Sequence, residues 1–385
     1  MKSPAPADAR ISVIGAGPGG LTCARILQQR GIAVTVYDRD PSRDSRKQGG
    51  SLDLHADHAQ VALREAGLLD EFFALARPEG QELRQMDPAG AITFHRAPTA
   101  DGLLKPEIDR GELRTLLLDS LEPGTVRWGH SLDTISGPAD GPRQLHFADG
   151  TSVETDLVIG ADGAFSRVRP AVSPTLPEYT GISFLEAWFS DVDNRHPEIA
   201  ELTGSGLTHA ADGERSLVAQ RNSSNQIRVY IIQRLPVDWI SARGLSAEDT
   251  EGIRAVLCDE YAHWSPHMRR MITDNDGPYI HRPIFVLPVP HTWDHNPTVT
   301  LLGDAAHLMP PLGTGVNLAM LDAGELALAL TEAATVDDAV RVYEKTMLPR
   351  SVETAQAIEH GTEQLLSADS SARKLSAVVA DSLAR

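Results

Sequence analysis

The sequence is short of cysteine, of basic charge, of long apolar runs and of several enzyme motifs, and each shortage narrows what the chain can be. Only two cysteines occur, Cys23 and Cys258. Two cannot build a disulfide framework, so a reducing cytoplasm is expected. No apolar run approaches the roughly 18 residues that a membrane-spanning helix requires, and the opening MKSPAPADAR has no apolar secretory core. No membrane partner is therefore expected. Lys and Arg number 35 against 53 Asp and Glu, a formal net charge of -18. That sign opposes binding to nucleic acid or anionic lipid. No G-x-S-x-G elbow and no P-loop appears, which argues against serine hydrolases and P-loop kinases. The histidine pairs His55/His58 and His263/His267 match no zinc-ligand spacing, and Pro266 interrupts the second, so no metal is expected.

What is present is an ordinary globular composition, 41% hydrophobic and 23% charged over 385 residues. The length exceeds one small core and predicts two domains or one large discontinuous one. The chain is organised around Ile11 to Tyr37. An apolar run (Ile11, Val13, Ile14) stops at Gly15-Ala16-Gly17-Pro18-Gly19-Gly20. A helix-period pattern follows (Leu21, Ala24, Leu27), then Gly31, then a β-branched run (Ile32, Val34, Val36) closed by Asp38. Strand, glycine turn, helix and strand with an acid at its tip form a dinucleotide-binding unit. Gly15 permits the turn, Gly17 lets backbone approach a pyrophosphate, and Gly20 lets helix and strand pack closely. The helix N-terminus offers free N–H groups to phosphate. Asp38, 18 residues after Gly20, can accept from a ribose. This motif does not choose between NAD and FAD.

Further along, Gly49-Gly50 opens an extended run in which Asp53 lies between Leu52 and Leu54, unusual for plain surface. Residues 57 to 77 have helical spacing with a break at Gly67, and possible strands flank Pro88 to Gly90. Asp109 to Leu121 reads as a helix carrying Arg110 and Arg114 on one face. Strands are expected at Val126 to Thr134, Arg143 to Ala148 and Leu157 to Ile159. The last ends in Gly160-Ala161-Asp162-Gly163, a second strand-to-loop phosphate approach. Residues 176 to 275 read as strand runs (Phe184 to Phe189, Ser216 to Ala219, Ile227 to Arg234) separated by polar loops, with Trp188, Trp239 and Trp264. This composition shift suggests an inserted domain. Val299 to Leu302 then forms a buried strand ending at Gly303-Asp304. A Pro- and Gly-rich loop leads to a long helix starting near Gly315 to Asn317, again an anion or carbonyl site.

GAGPGG, GADG and GDAAHLMPP, in this order, resemble the FAD-dependent, NAD(P)H-using aromatic-ring monooxygenases similar to para-hydroxybenzoate hydroxylase. The resemblance covers nearly the whole chain. GDAAHLMPP, GGSLDLH and PEIDRGELRTLLLDSLE look closest to the tetracycline-inactivating members. It implies an α/β fold. A Rossmann-like FAD-binding domain (1-75, 98-175 and 270-335) would hold an inserted mixed or antiparallel-sheet substrate domain (76-97 and 176-269), followed by a C-terminal helical segment (336-385).

It further implies that Gly15, Ala16, Gly17, Gly19 and Gly20 cradle the FAD pyrophosphate. Asp38 would hold the adenosine ribose and Arg39 would lie along the adenine. Asp53 and Arg110 would reach the isoalloxazine or ribityl end, and Asp304 the ribityl chain or its neighbouring phosphate region. Asp162 and Gly163, with Arg167 nearby, would serve the pyrophosphate region. Pro311, Gly315, Val316 and Asn317 would lie at the flavin's pyrimidine side. Arg46 would help NADPH or NADH dock. Glu186, Arg215, Pro311 and Leu312 would face the substrate. Asp38 stands where the family more often has Glu, Leu312 where an aromatic is expected, and Glu186 replaces an amide.

The implied chemistry is hydride reduction of FAD, capture of dioxygen as a flavin hydroperoxide, and transfer of one oxygen atom to a polycyclic or phenolic aromatic, tetracycline-like or polyketide. The cofactor carries that reaction, so no catalytic acid–base pair is named. The protein is expected to act as a cytoplasmic monomer. Other readings are a dehydrogenase using only the first motif, a flavin oxidase, a halogenase (whose Trp-x-Trp-x-Ile-Pro run is missing) and a non-catalytic drug-sequestering flavoprotein.

Overall fold

A computed structural model describes residues 3–45, 49–98, 103–213 and 215–365. They gather into two compact units. One joins residues 1–76, 110–178 and 285–358, and the other is chiefly 77–109 and 179–284.

The first unit is built on five parallel strands. Ile11–Ile14 pairs with Val34–Tyr37 on one side and with Leu157–Gly160 on the other. Val126–Arg127 lies beyond Val34–Tyr37, and Val299–Leu301 beyond Leu157–Gly160. Ile11–Ile14 and Leu157–Gly160 are buried along their whole length, as a parallel sheet covered on both faces demands. The chain passes from Ile11–Ile14 through the helix Pro18–Gln29 to Val34–Tyr37, the usual crossover between parallel strands. The strands that follow lie on opposite sides of Ile11–Ile14. The order therefore reverses there and opens a crevice at the carboxyl ends.

Helix packing in this unit depends on missing side chains. A Cβ added at Gly19 would sit 2.7 Å from Leu302 Cδ1 and 2.9 Å from the Ala319 carbonyl oxygen. One added at Gly303 would sit 2.7 Å from Ala319 Cβ. Ala319 of the helix Gly315–Glu332 is thus wedged between two glycines 284 residues apart in sequence. Cys23, on the first helix, is fully buried, and burial pushes its thiol up to about 12, so it acts as core. The C-terminal helix Val336–Leu365 is tied to the sheet by Tyr343, whose hydroxyl donates to Leu301 O at 2.9 Å.

The second unit is a seven-stranded sheet in the order Ile280–Val286, Glu178–Ser190, Gln226–Arg234, Arg215–Asn222, Leu207–Asp212, Leu83–Met86, Ile92–Arg96. Alternate residues of its central strands (Leu185, Ala187, Phe189; Ile227, Val229, Ile231) enter one core with Trp239, Tyr261, Trp264 and Met268, as a period of two requires. The expectation of strands joined by polar loops omits the helices Thr250–Glu260 and Pro266–Thr273, which cover this face. Their caps are local: Asp249 accepts from Gly252 N, and Ser265, before Pro266, accepts from Met268 N. No described helix is long and apolar enough to cross a membrane.

Gly19→Ala is expected to lower the unfolding free energy by about 1–3 kcal/mol through overpacking, measured by urea denaturation.

Candidate active site

Four loops of the first unit leave the carboxyl ends of the parallel strands: Gly15–Gly17 after Ile11–Ile14, Asp38 after Val34–Tyr37, Ala161–Gly163 after Leu157–Gly160 and Gly303–Asp304 after Val299–Leu301. Gly15, at φ +111°, has no room for a Cβ against the Ala161 carbonyl. This contact joins the first loop to the third, and the Gly19–Ala319–Gly303 wedge joins the first to the fourth.

Asp38 is buried and already employed. Its Oδ2 accepts from Ala16 N at 2.6 Å and its Oδ1 from Asp40 N at 2.8 Å. Each carboxylate oxygen can still accept from a further donor, and Arg39 beside it is exposed. Arg110 and Arg114, alike in sequence, differ in structure. Arg114 is buried, donates to Ala16 O and Arg43 O, and lies 5.1 Å over the Trp128 ring. It braces the glycine loop. The Arg110 side chain lies against Gly49, whose added Cβ would be 3.2 Å from its Nε. Arg46 falls outside the described residues.

Asp53 Oδ2 is 2.9 Å from His55 Nε2. Asn317 is buried, and its amide is wholly engaged: Nδ2 donates to Asp53 O at 2.8 Å and Gly313 O at 3.0 Å, and Oδ1 accepts from His55 N at 2.8 Å. Asn317 therefore clamps the Asp53 strand to the Gly313 loop and leaves only main-chain groups for a ligand. Pro311 is exposed, whereas Leu312 packs against Met309, Leu318 and Ile358.

Asp162 is also turned inward. It accepts from the Ser166 hydroxyl at 2.6 Å and from Arg167 N at 2.6 Å. Burial pushes its pKa up against those donors. Arg167 is exposed. The arginine that carries structure is Arg169, which the sequence reading missed. Fully buried, it donates to Ala305 O (2.8 Å), Asp304 O (3.0 Å) and Ala164 O (2.9 Å), tying the third loop to the fourth. Its one signal is an arginine set among Val168, Pro170 and Ala171. Asp304 itself turns its side chain outward, with Oδ1 3.7 Å from where a Gly315 Cβ would be.

These residues fit FAD. Nothing lies within 4 Å of a Cβ placed on Gly17 or Gly163, so main chain faces open space there. Both helices that begin at the crevice are uncapped. Gly17 caps Pro18–Gln29 without a side-chain bond, and Thr314 makes none at Gly315–Glu332. The Thr314 hydroxyl is buried without a partner among the described residues. Unsatisfied first-turn N–H groups and the helix dipole suit a pyrophosphate at one end and an electron-rich ring carbonyl at the other.

In the second unit, the register sets Glu186, Tyr230, Val218, His209 and Gln85 side by side on the face opposite the helix-packed core. Glu186 is not a free acid: Arg228 donates to it at 3.1 Å and Arg282 pairs with it. Arg228 also stacks 4.1 Å over Trp188. His209 is held neutral, burial pushing its pKa down to about 4, and its Nε2 lies 2.9 Å from Ser216 Oγ. The Gln85 amide is buried, with no hydrogen-bond partner among the described residues. Arg215, by alternation with Leu217, points to the helix-covered face, where its charge acts on Tyr261.

Gly17→Ala adds no clash within the protein and is expected to leave apoprotein stability unchanged. It should weaken FAD binding about tenfold or more, because its methyl takes the space a pyrophosphate needs; titration of flavin fluorescence checks this. Glu186→Gln leaves buried Arg228 unbalanced and is expected to cost about 3 kcal/mol of stability, read from denaturant midpoints.

The sequence matches the FAD binding domain family over residues 8–238 and 289–357. It is 30% identical to the monooxygenase asqM of Emericella nidulans over 375 residues, covering 83% of each chain. It is 29% identical to the 3-amino-4-hydroxybenzoate 2-monooxygenase of Streptomyces cremeus over 356 residues, 90% of this chain and 85% of that one. Among solved structures, Klebsiella pneumoniae HpxO complexed with FAD and uric acid superposes with a TM-score of 0.78 at 22% identity, covering 97% and 92% of the two chains. Tetracycline destructase Tet(55) superposes with a TM-score of 0.70 at 20% identity, covering 93% and 89%. With most of its length matched and its strand-end loops fitted to the cofactor, the chain belongs to the FAD-dependent monooxygenases.

Proposed function

We propose that this monooxygenase hydroxylates a polycyclic or phenolic aromatic ring, with NADPH or NADH as reductant. When bound, FAD supplies the redox chemistry by which one atom of dioxygen enters a ring C–H and the other leaves as water. NAD(P)H would give up a hydride and a proton would come from solvent. The chain's own residues bind, orient and exclude water. Gly15, Ala16, Gly17, Gly19, Gly20 and the first turn of Pro18–Gln29 hold the pyrophosphate, with Asp162 shaping the loop opposite. Asp38 takes the ribose, and Arg39 the adenine edge. Asp53, Arg110 and Asp304 serve the ribityl and ring end. Main-chain N–H groups at Gly315 to Asn317 stabilise negative charge on the ring. Arg46 is assigned to the reductant.

The single observation that carries the reading is the fused arrangement of three glycine-rich loops with two uncapped helix ends, since a nicotinamide dehydrogenase would use only the first loop. The substrate class is supported by relatives whose names carry ring compounds: monooxygenases of 3-amino-4-hydroxybenzoate and 6-hydroxynicotinate, and a urate hydroxylase. The unpaired Gln85 amide and neutral His209 support a ring with hydrogen-bonding substituents. Of the sequence-derived substrate candidates, exposed Pro311 keeps that role; Glu186 is paired with Arg228 and Arg282, Arg215 points to the helix-covered face, and Leu312 packs inward. Two free cysteines accord with a cytoplasmic enzyme, and the reading takes it as a monomer.

Purified protein is expected to be yellow with bound FAD. NADPH or NADH oxidation should rise at least several-fold with a cognate phenolic or polyketide ring, and product mass should rise by one oxygen atom. A flavin spectrum without ring-stimulated oxidation across such a panel would refute the ring-hydroxylation reading.

A further inference from the structure

Behind the Gly303–Asp304 turn lies a buried charge cluster that no part of the open crevice uses. Asp322, on the helix Gly315–Glu332, has no exposed surface. Its Oδ2 accepts from Gly303 N at 3.0 Å and lies 2.6 Å from His307 Nε2. Its Oδ1 accepts from Arg350 of the C-terminal helix at 2.8 Å. The same guanidinium reaches Glu325, 2.5 Å and 2.7 Å away. Gly303 needs this support. Its φ is +58°, and its carbonyl accepts from Ala306 N and His307 N, so the whole turn hangs on one residue in a left-handed conformation. On the other side Arg169 grips Ala305 O and Asp304 O. The Asp304 carboxylate, exposed and beside Gly315, is left facing outward.

We propose that Asp322, His307 and Arg350 are positioning residues for the cofactor. They fix the Gly303–Asp304 turn, so that the Asp304 carboxylate and the uncapped end of the neighbouring helix are preset for FAD. The inference rests on the FAD reading and extends it to the C-terminal helix. Asp322 couples the two helices to the turn through one carboxylate. Losing any partner leaves the others buried and unmatched, which costs more than one hydrogen bond.

The charges around His307 among the described residues are Asp322 and, through it, Arg350 from the two helices, Asp304 from its own turn, and His291 from an adjoining segment, with Arg169 beyond His291 and Asp304. Burial opposes its protonation, but Asp322 and, beyond it, Asp304 hold its pKa above the ordinary value. A raised pKa means that the charged pair stabilises the turn at lower pH, and that this stabilisation is lost as pH climbs through the raised value.

The test is FAD titration of full-length apoprotein by fluorescence quenching across pH, with apoprotein melting temperature measured in parallel. His307→Leu is expected to weaken FAD binding about tenfold. His307→Gln, which keeps a donor toward Asp322, should restore it to within about threefold of the parent. The parent's affinity should fall above the His307 pKa, while the Gln variant shows no such step. Arg350→Lys keeps the charge but loses the fork and should also weaken FAD binding, which decides the matter should His307→Leu not fold. Parental FAD affinity in His307→Leu or Arg350→Lys, whatever the melting temperature, would overturn the inference. A parent protein that takes up no FAD at all would overturn the flavin reading instead.

Discussion

Backbone-to-backbone approach at glycine is the constraint on which the first unit depends. Ala319 reaches both Gly19 and Gly303 because neither carries a side chain, and Gly15 lies flat on Ala161 for the same reason. These contacts turn three separate strand ends into one surface, and the Asp38 carboxylate adds the fourth through Ala16 N. The energetic consequence is that this surface is made of main chain. Its N–H groups are already oriented by two helices, so binding an anionic dinucleotide requires little further ordering.

The acids around the crevice divide into two kinds. Asp38 turns its oxygens toward backbone donors of the first loop and of its own, and Asp162 toward hydroxyl and backbone donors of its own loop. Asp304 turns outward. An inward acid shapes a loop, and an outward one offers a ligand group. The arginines divide likewise: Arg114 and Arg169 brace main-chain carbonyls from buried positions, whereas Arg39 and Arg167 lie exposed. Charge near a phosphate is thereby arranged so that buried cations offset buried anions before any cofactor arrives.

The glycine loops were legible in the sequence because their signal is local: a β-branched run, a glycine turn and a helical period fall within a few residues of each other. The parallel sheet followed from those runs. What stayed hidden depends on distant partners. Glu186 reads as a candidate ligand until Arg228 and Arg282, 42 and 96 residues away, are seen to neutralise it. Arg110 and Arg114 share a helix face, and only the fold shows which one is buried. Arg169 and Asp322 act through carbonyls and amides, which no residue pattern records. The helices Thr250–Glu260 and Pro266–Thr273 were missed for a different reason. Their caps, Asp249 and Ser265-Pro266, are readable, but the short apolar stripes between them resemble the strand runs around them.

Amide hydrogen exchange on the full chain, with and without added FAD, distinguishes a cofactor held by all three loops from one held by the first alone. Gly15 to Leu21, Ala161 to Val168 and Gly303 to Leu318 should gain protection together at a single FAD concentration, since one ligand spans all three. Protection confined to Gly15 to Asp38 would contradict it, because the chain would then bind a dinucleotide through its first loop alone.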